Sequence, residues 1–412
     1  MTSQTPKNIL ALGIVFFSSF FSAAYAVTLC DNLEGGLSCK TDKTLNLIDT
    51  KQNFDKYFSI VQGDHVGTHE NQKYMTEQVT YENGSIKINT IPLSSPIPCL
   101  SNGNFGPGEV IYPGTCVYKS GAIYTRGRFD VNKIIQNGIE NNINQGAIEI
   151  EATIAQNGNK TLAGGLWPAI WMMSNKLDDT FIHDDKPWER NNLWPSAMEI
   201  DILEYMQGSS DVVGTLHYGL YTGKGTPPTS WNYTNNKDLV KIGDWQYSTG
   251  DDVSLPKSNP QEKHTFGFMW DLGREKPMIG RTVTFTWFYD GNPYFKYTFS
   301  RSASTQWYSK SKFVRNGANT EWKLIKDDVC IQAAEVTNRC PSLYLTDSET
   351  TDKLAEAMFR SFDRGFEAGY YLIINLAVGG DGVVKGNVPI AKDITDSMTI
   401  YSIKRYIMEV AP

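Results

Sequence analysis

The sequence predicts a mostly β protein, a two-sheet antiparallel β-sandwich with one inserted helix. Two observations carry this. Alternating or aromatic-rich runs recur at Ser85 to Ile91, Ala147 to Ile154, Ala169 to Met173, Met198 to Glu204, His264 to Trp270, Thr282 to Tyr289 and Tyr370 to Leu376. Turn residues and long returns separate them, the pattern of a sandwich. Helical spacing stands out once, in Thr350 to Phe362, where Leu354, Ala355, Met358 and Phe362 share a face behind candidate caps at Asp347 and Ser348.

The chain opens with Lys7, an apolar core from Ile9 to Phe21 and then Ala24-Tyr25-Ala26. This is the layout of a signal peptide, residues 1–26, cleaved to leave Val27 first. The apolar stretch is short for a membrane span, so a membrane anchor is not expected. The remaining 27–412 read as one domain with loop insertions, because no Pro, Ser or Gly-rich linker divides them. The stretches 132–145 and 301–366 are the longest of these insertions.

Six cysteines, Cys30, Cys39, Cys99, Cys116, Cys330 and Cys340, form three locally spaced couples that suit an oxidising compartment. Fifteen connectivities are open to six cysteines, and neighbour pairing is the expectation. Lys and Arg number 38 against 45 Asp and Glu, with no basic run to follow a phosphate backbone, so nucleic acid is not an expected partner. No C-x-x-C or H-E-x-x-H string is present, and neither a metal nor a cofactor is expected. The oxygen-rich stretch Asp64 to Glu70 is too loose a ligand pattern to specify calcium.

The most informative stretch is Trp194 to Tyr205, WPSAMEIDILEY, which sets Glu199, Asp201 and Glu204 inside an apolar, β-branched run. In a regular strand Glu199 and Asp201 share a face and Glu204 falls on the other. One extra residue near Ile202 and Leu203, a β-bulge, returns Glu204 to their face. The two glutamates then stand as far apart as residues four apart in a strand, about 13 Å between Cα atoms at about 3.3 Å per residue. Side chains reaching inward by about 4 Å each close that to about 5 Å, the spacing of a nucleophile and a general acid in a retaining glycosidase.

The neighbourhood of this motif resembles glycoside hydrolase family 16, most closely its laminarinase-like branch with the bulged E-x-D-x-x-E strand. The resemblance extends in order through Asn71 to Thr76, Gly84 to Ile88, Ser120 to Thr125, LWPAIWMM (166–173), TLHY (215–218), HTFGFMWD (264–271), YDG (289–291) and LIINLAVGG (372–380). It covers about Asn53 to Val410. It implies a concanavalin A-like jelly roll whose concave face holds a glycan cleft, and a secreted, monomeric, endo-acting β-1,3-glucanase that retains configuration. Glu199 is then the nucleophile, Glu204 the acid and base, and Asp201 the group between them that keeps one ionised and the other protonated. Trp167, Trp171 and Trp194 are implied as sugar contacts, with His217 and Asn375 as hydrogen-bonding groups near the carboxylates.

For Trp167 and Trp171, which are four apart and so share a strand face, core packing is the alternative reading, and for Trp194, His217 and Asn375 a structural role is equally open. His264 and Trp270 read as structural. Met198 stands where relatives carry a small residue, and Ala122 where an arginine is common, which bears on subsite contacts. Other β-glycans, namely mixed-linkage glucan, agarose or carrageenan, remain open as substrates. So do transglycosylation and a non-catalytic glucan-binding role, although a binder would have little use for three acids in an apolar strand.

Overall fold

In the computed structural model the described residues are 28–34, 36–65, 69–105, 111–155, 165–176, 181–183, 197–205, 212–217, 220–221, 239–240, 259–273, 280–301, 308–315, 321–330, 362–380 and 394–410. They form a two-sheet jelly-roll sandwich. Six strands make the sheet that carries the acidic motif: β1 (Ser59–Ile60), β2 (Ala122–Tyr124), β3 (Leu166–Ser174), β4 (Glu199–Tyr205), β5 (Val212–His217) and β6 (Tyr370–Val378). Their spatial order is β5-β4-β3-β6-β2-β1, and every pairing is antiparallel.

The larger sheet has Ser85–Phe105, Asp396–Val410, Gln145–Thr153, His264–Asp271, Thr282–Tyr289 and Asn292–Arg301 as successive neighbours in its middle. Each of these pairings is antiparallel; the one parallel pairing among the described strands joins Gln72–Tyr74 to Ile111–Ser120. All seven expected strands are present, most of them within a residue or two of the expected length, while Leu166–Ser174 begins three residues early and Ser85 continues to Phe105.

The core lies between the sheets. Ile170, Met172, Ile200, Leu203, Leu372 and Ile374 meet Phe268, Trp270, Phe285 and Trp287 there. A second apolar cluster covers the opposite face of the six-stranded sheet, where Ala122, Tyr124, Trp171, Met173, Tyr371 and Ile373 pack with Tyr74 and Phe181. With both faces covered, β6 is buried along all nine residues, and its sequence is correspondingly a continuous apolar run broken only by Asn375.

Two short helices matter for the frame. Lys51–Tyr57 shows no helical period in its sequence; its N-cap Thr50 accepts the Asn53 N–H, and Phe54 and Tyr57 bury one face. Residues 362–368 are helical, while the expected helix over 350–362 lies outside the described residues except at Phe362. Arg281 fixes the later helix through two 2.8 Å bonds to Asp363, and Phe362 and Phe366 insert into the core.

Neighbour pairing of cysteines holds for Cys30–Cys39 and Cys99–Cys116. Cys340 lies outside the described residues, and with it the third couple. The signal peptide and its cleavage point lie outside them too. No helix among the described residues is long and apolar enough to cross a membrane.

Candidate active site

The strand β4 carries the bulge that its sequence demands. Asp201 pairs with Trp171 and Leu203 with Ile170, so Ile202 is the extra residue, and the ladder to β5 shifts between Asp201 and Glu204 as well. Ile202 and Leu203 consequently both point into the core although they are adjacent in sequence. Glu199, Asp201 and Glu204 emerge on the other face.

A bulge takes backbone groups out of the ladder, and those groups need partners. The Trp287 indole, from the opposite sheet, donates to the Asp201 carbonyl at 2.8 Å. The indole lies against Gly214 of β5, where a Cβ would stand 2.4 Å from Trp287 Nε1. Gly214 is thus the residue that leaves room for the brace.

Side-chain partners divide the three acids. His217 lies opposite Glu199 on β5, with Nε2 3.9 Å from Glu199 Oε1 and 3.1 Å from Asp201 Oδ2. Trp167 Nε1–H donates to Glu204 Oε1 at 3.1 Å. Glu199 keeps 17% of its side chain exposed against 3% for Asp201, so it is the carboxylate that meets solvent.

Burial pushes the Asp201 carboxyl up to about 8. Burial also raises Glu204 to about 8, reinforced by the charges of Asp201 and Glu199 and opposed by His217 and the Trp167 donor. At neutral pH such a site holds a proton on a carboxyl beside a more exposed carboxyl group, which suits acid catalysis followed by base catalysis at one oxygen.

Trp167 and Trp171 share a face, as their spacing requires, but they differ in surroundings. Trp167 is partly exposed, whereas Trp171 is 7% exposed. The Trp171 ring packs edge-on to His65 at 6.0 Å, and its Nε1–H donates to Asn375 Oδ1 at 2.7 Å. Asn375 passes the chain on, donating from Nδ2 to Tyr74 Oη at 2.9 Å, and Tyr74 donates to the buried Glu70 at 3.1 Å. Asn375 stands in the same row as Glu204, separated by Ala169, but is itself buried. The structure therefore brings Glu199, Asp201, Glu204, Trp167 and His217 together, with Trp171 and Asn375 joined to each other beneath the surface; Trp194 lies outside the described residues.

Glu199, Asp201 and His217 have donor atoms within 4.8 Å of one another and could hold a divalent cation. Asp64 likewise has a carboxylate oxygen within 4.8 Å of the Cys99 and Cys116 sulfurs, but those sulfurs form a disulfide and are not thiolate ligands.

Sequence reasoning missed the Trp287 brace, and also a backbone feature beside the motif. Met198 has φ +67°, a left-handed conformation that costs a non-glycine residue about 1–2 kcal/mol. Its only sequence signal is Met198 itself, a bulky residue where the family resemblance implies a small one.

No family model and no curated protein matches the chain. Among solved structures it is similar to the endo-1,3-β-glucanase of Streptomyces sioyaensis, at 14% identity and TM-score 0.47 over 92% of this chain and 99% of that one. It is also similar to the endo-β-1,3-glucanase of Pyrococcus furiosus, at 16% identity and TM-score 0.41 over 86% and 89% of the two chains. A laminarinase of Flavobacterium sp. UMI-01 is similar at 18% identity and TM-score 0.40 over 85% and 94%.

Proposed function

We propose that this chain is a secreted, endo-acting β-glucan hydrolase of the glycoside hydrolase family 16 type, a single catalytic domain that cleaves β-1,3 bonds with retention. The observation that carries the reading is the bulge at Ile202, which sets two glutamates on one face about an intervening aspartate, one of them buried and proton-retaining. Glu199 attacks the anomeric carbon while Glu204 protonates the departing glycosidic oxygen, leaving a glycosyl ester on Glu199. Glu204, now a carboxylate, takes a proton from water as the water displaces Glu199, which regenerates both groups. Asp201 and His217 lie beside Glu199 and stabilise its position and charge between the two steps. The two disulfides support export.

The test is a reducing-end assay on laminarin, curdlan, lichenan, agarose and carrageenan. Laminarin is expected to be the best substrate and to yield a ladder of oligosaccharides. Preference for a galactan would replace the substrate assignment, and laminarin binding without new reducing ends would make the chain a binder.

The acid role has a pH signature. Glu204 donates only while protonated, so activity is expected to persist through neutrality and to fall as pH rises through about 8. The Trp167 bond favours the charged form of Glu204. In Trp167→Phe the basic limb of the kcat/KM profile should therefore move to higher pH. A limb that stayed put or moved down would show that Glu204 does not set it.

A further inference from the structure

The carbonyl of Ala197, two residues before Glu199, is gripped from the far side of the sheet. Tyr370, fully buried at the start of β6, donates its hydroxyl to that oxygen at 3.1 Å. Gly365 of the 362–368 helix closes on the same point: a Cβ there would stand 2.4 Å from Ala197 O and 2.3 Å from Tyr370 Oη. Asn132 ties the parts together, donating from Nδ2 to the Phe366 carbonyl at 2.6 Å and accepting the Tyr370 N–H at 2.7 Å. The helix cannot drift, because Arg281 holds Asp363 by two bonds.

This grip acts on the entry to the catalytic strand. The Ala197 carbonyl belongs to the peptide plane whose rotation about the Met198 N–Cα bond is φ, and φ at Met198 is +67°. A non-glycine residue stays in that region only where its surroundings over-determine it. Here the side chains of Ala197 and Met198 are both fully buried on opposite faces of the sheet, and the intervening peptide is pinned at its oxygen. Relaxing φ at Met198 would swing the start of β4, and Glu199 is its first residue.

We propose that Tyr370, backed by Gly365, is a positioning residue for Glu199: through the Ala197 carbonyl it holds Met198 in its left-handed conformation and so aims the carboxylate. This rests on the reading of Glu199 as nucleophile. The effect falls on attack rather than on binding, since neither Tyr370 nor Gly365 reaches the cleft face.

The experiment compares Tyr370→Phe with Tyr406→Phe, which removes another buried hydroxyl, one bonded to Glu149 on the outer face of the larger sheet. On laminarin, whose poor leaving group makes the attack step slow, Tyr370→Phe should lower kcat by about 10- to 100-fold with KM nearly unchanged, the cost of a misplaced reacting group. Tyr406→Phe should lower Tm without changing kcat. In a Met198→Gly background, where left-handed φ carries no penalty, Tyr370→Phe should cost less kcat than it does alone. Equal cost in both backgrounds, or kcat within about 2-fold of wild type for Tyr370→Phe alone, overturns the proposal. A crystal structure of Tyr370→Phe gives a readout independent of activity: Met198 should leave the left-handed region, and an unmoved Met198 and Glu199 overturn the proposal. An inactive wild-type chain would instead sink the glucanase reading.

Discussion

Glu199→Ala is expected to lower laminarin hydrolysis on the order of 10⁴-fold or more, because under the proposed mechanism the group that forms the covalent intermediate is gone and no neighbour can replace it. Asp201 is the nearest carboxyl on the same face, but it is 2% exposed and retains its proton at neutral pH. No glycosyl-enzyme should be detectable by mass spectrometry with an activated aryl glycoside. Added azide fits the space left by the carboxylate and attacks the anomeric carbon directly, so the product is the inverted α-glycosyl azide. Near-normal laminarin hydrolysis by this variant would show that the E-x-D-x-x-E assignment is wrong.

Glu204→Ala should show the complementary split. Hydrolysis of laminarin, whose leaving alcohol needs a proton, should fall by about 10²- to 10⁴-fold. An aryl glycoside with an acidic phenol leaves unaided, so the glycosyl-enzyme should still form and then accumulate for want of a base. Azide needs no base, and it should release the β-glycosyl azide with retained configuration. Reversal of the two anomers between the variants would exchange the roles of Glu199 and Glu204. The basic limb near pH 8 should also vanish from the Glu204→Ala profile on the activated substrate, because that limb belongs to a proton this variant no longer carries.

Local pattern determined a large part of this protein. Period-two alternation located the strands, and the same alternation made the bulge necessary, since three acids at positions 199, 201 and 204 cannot share a face without one extra residue. Neighbouring cysteines paired because short loops bring them together, as in Cys30–Cys39 and Cys99–Cys116. The spacing of Trp167 and Trp171 correctly put them on one face. It could not tell that Phe181 and His65 would pack over the neighbourhood of Trp171 while Trp167 kept some exposure and its bond to Glu204.

The helix Lys51–Tyr57 escaped because seven residues are too few to display a helical period, and its formation owes as much to burial of Phe54 and Tyr57 as to propensity. What only the tertiary structure decided are the environments of the acids. Trp287 meets the Asp201 carbonyl from 86 residues away, and Tyr370 meets Ala197 from 173 residues away, both across elements whose approach no local window encodes. The raised proton affinity of Asp201 and Glu204 has the same origin. A carboxyl group is identified by its sequence, but its pKa is set by how much water and charge the folded chain leaves around it, and that is a property of packing between distant segments.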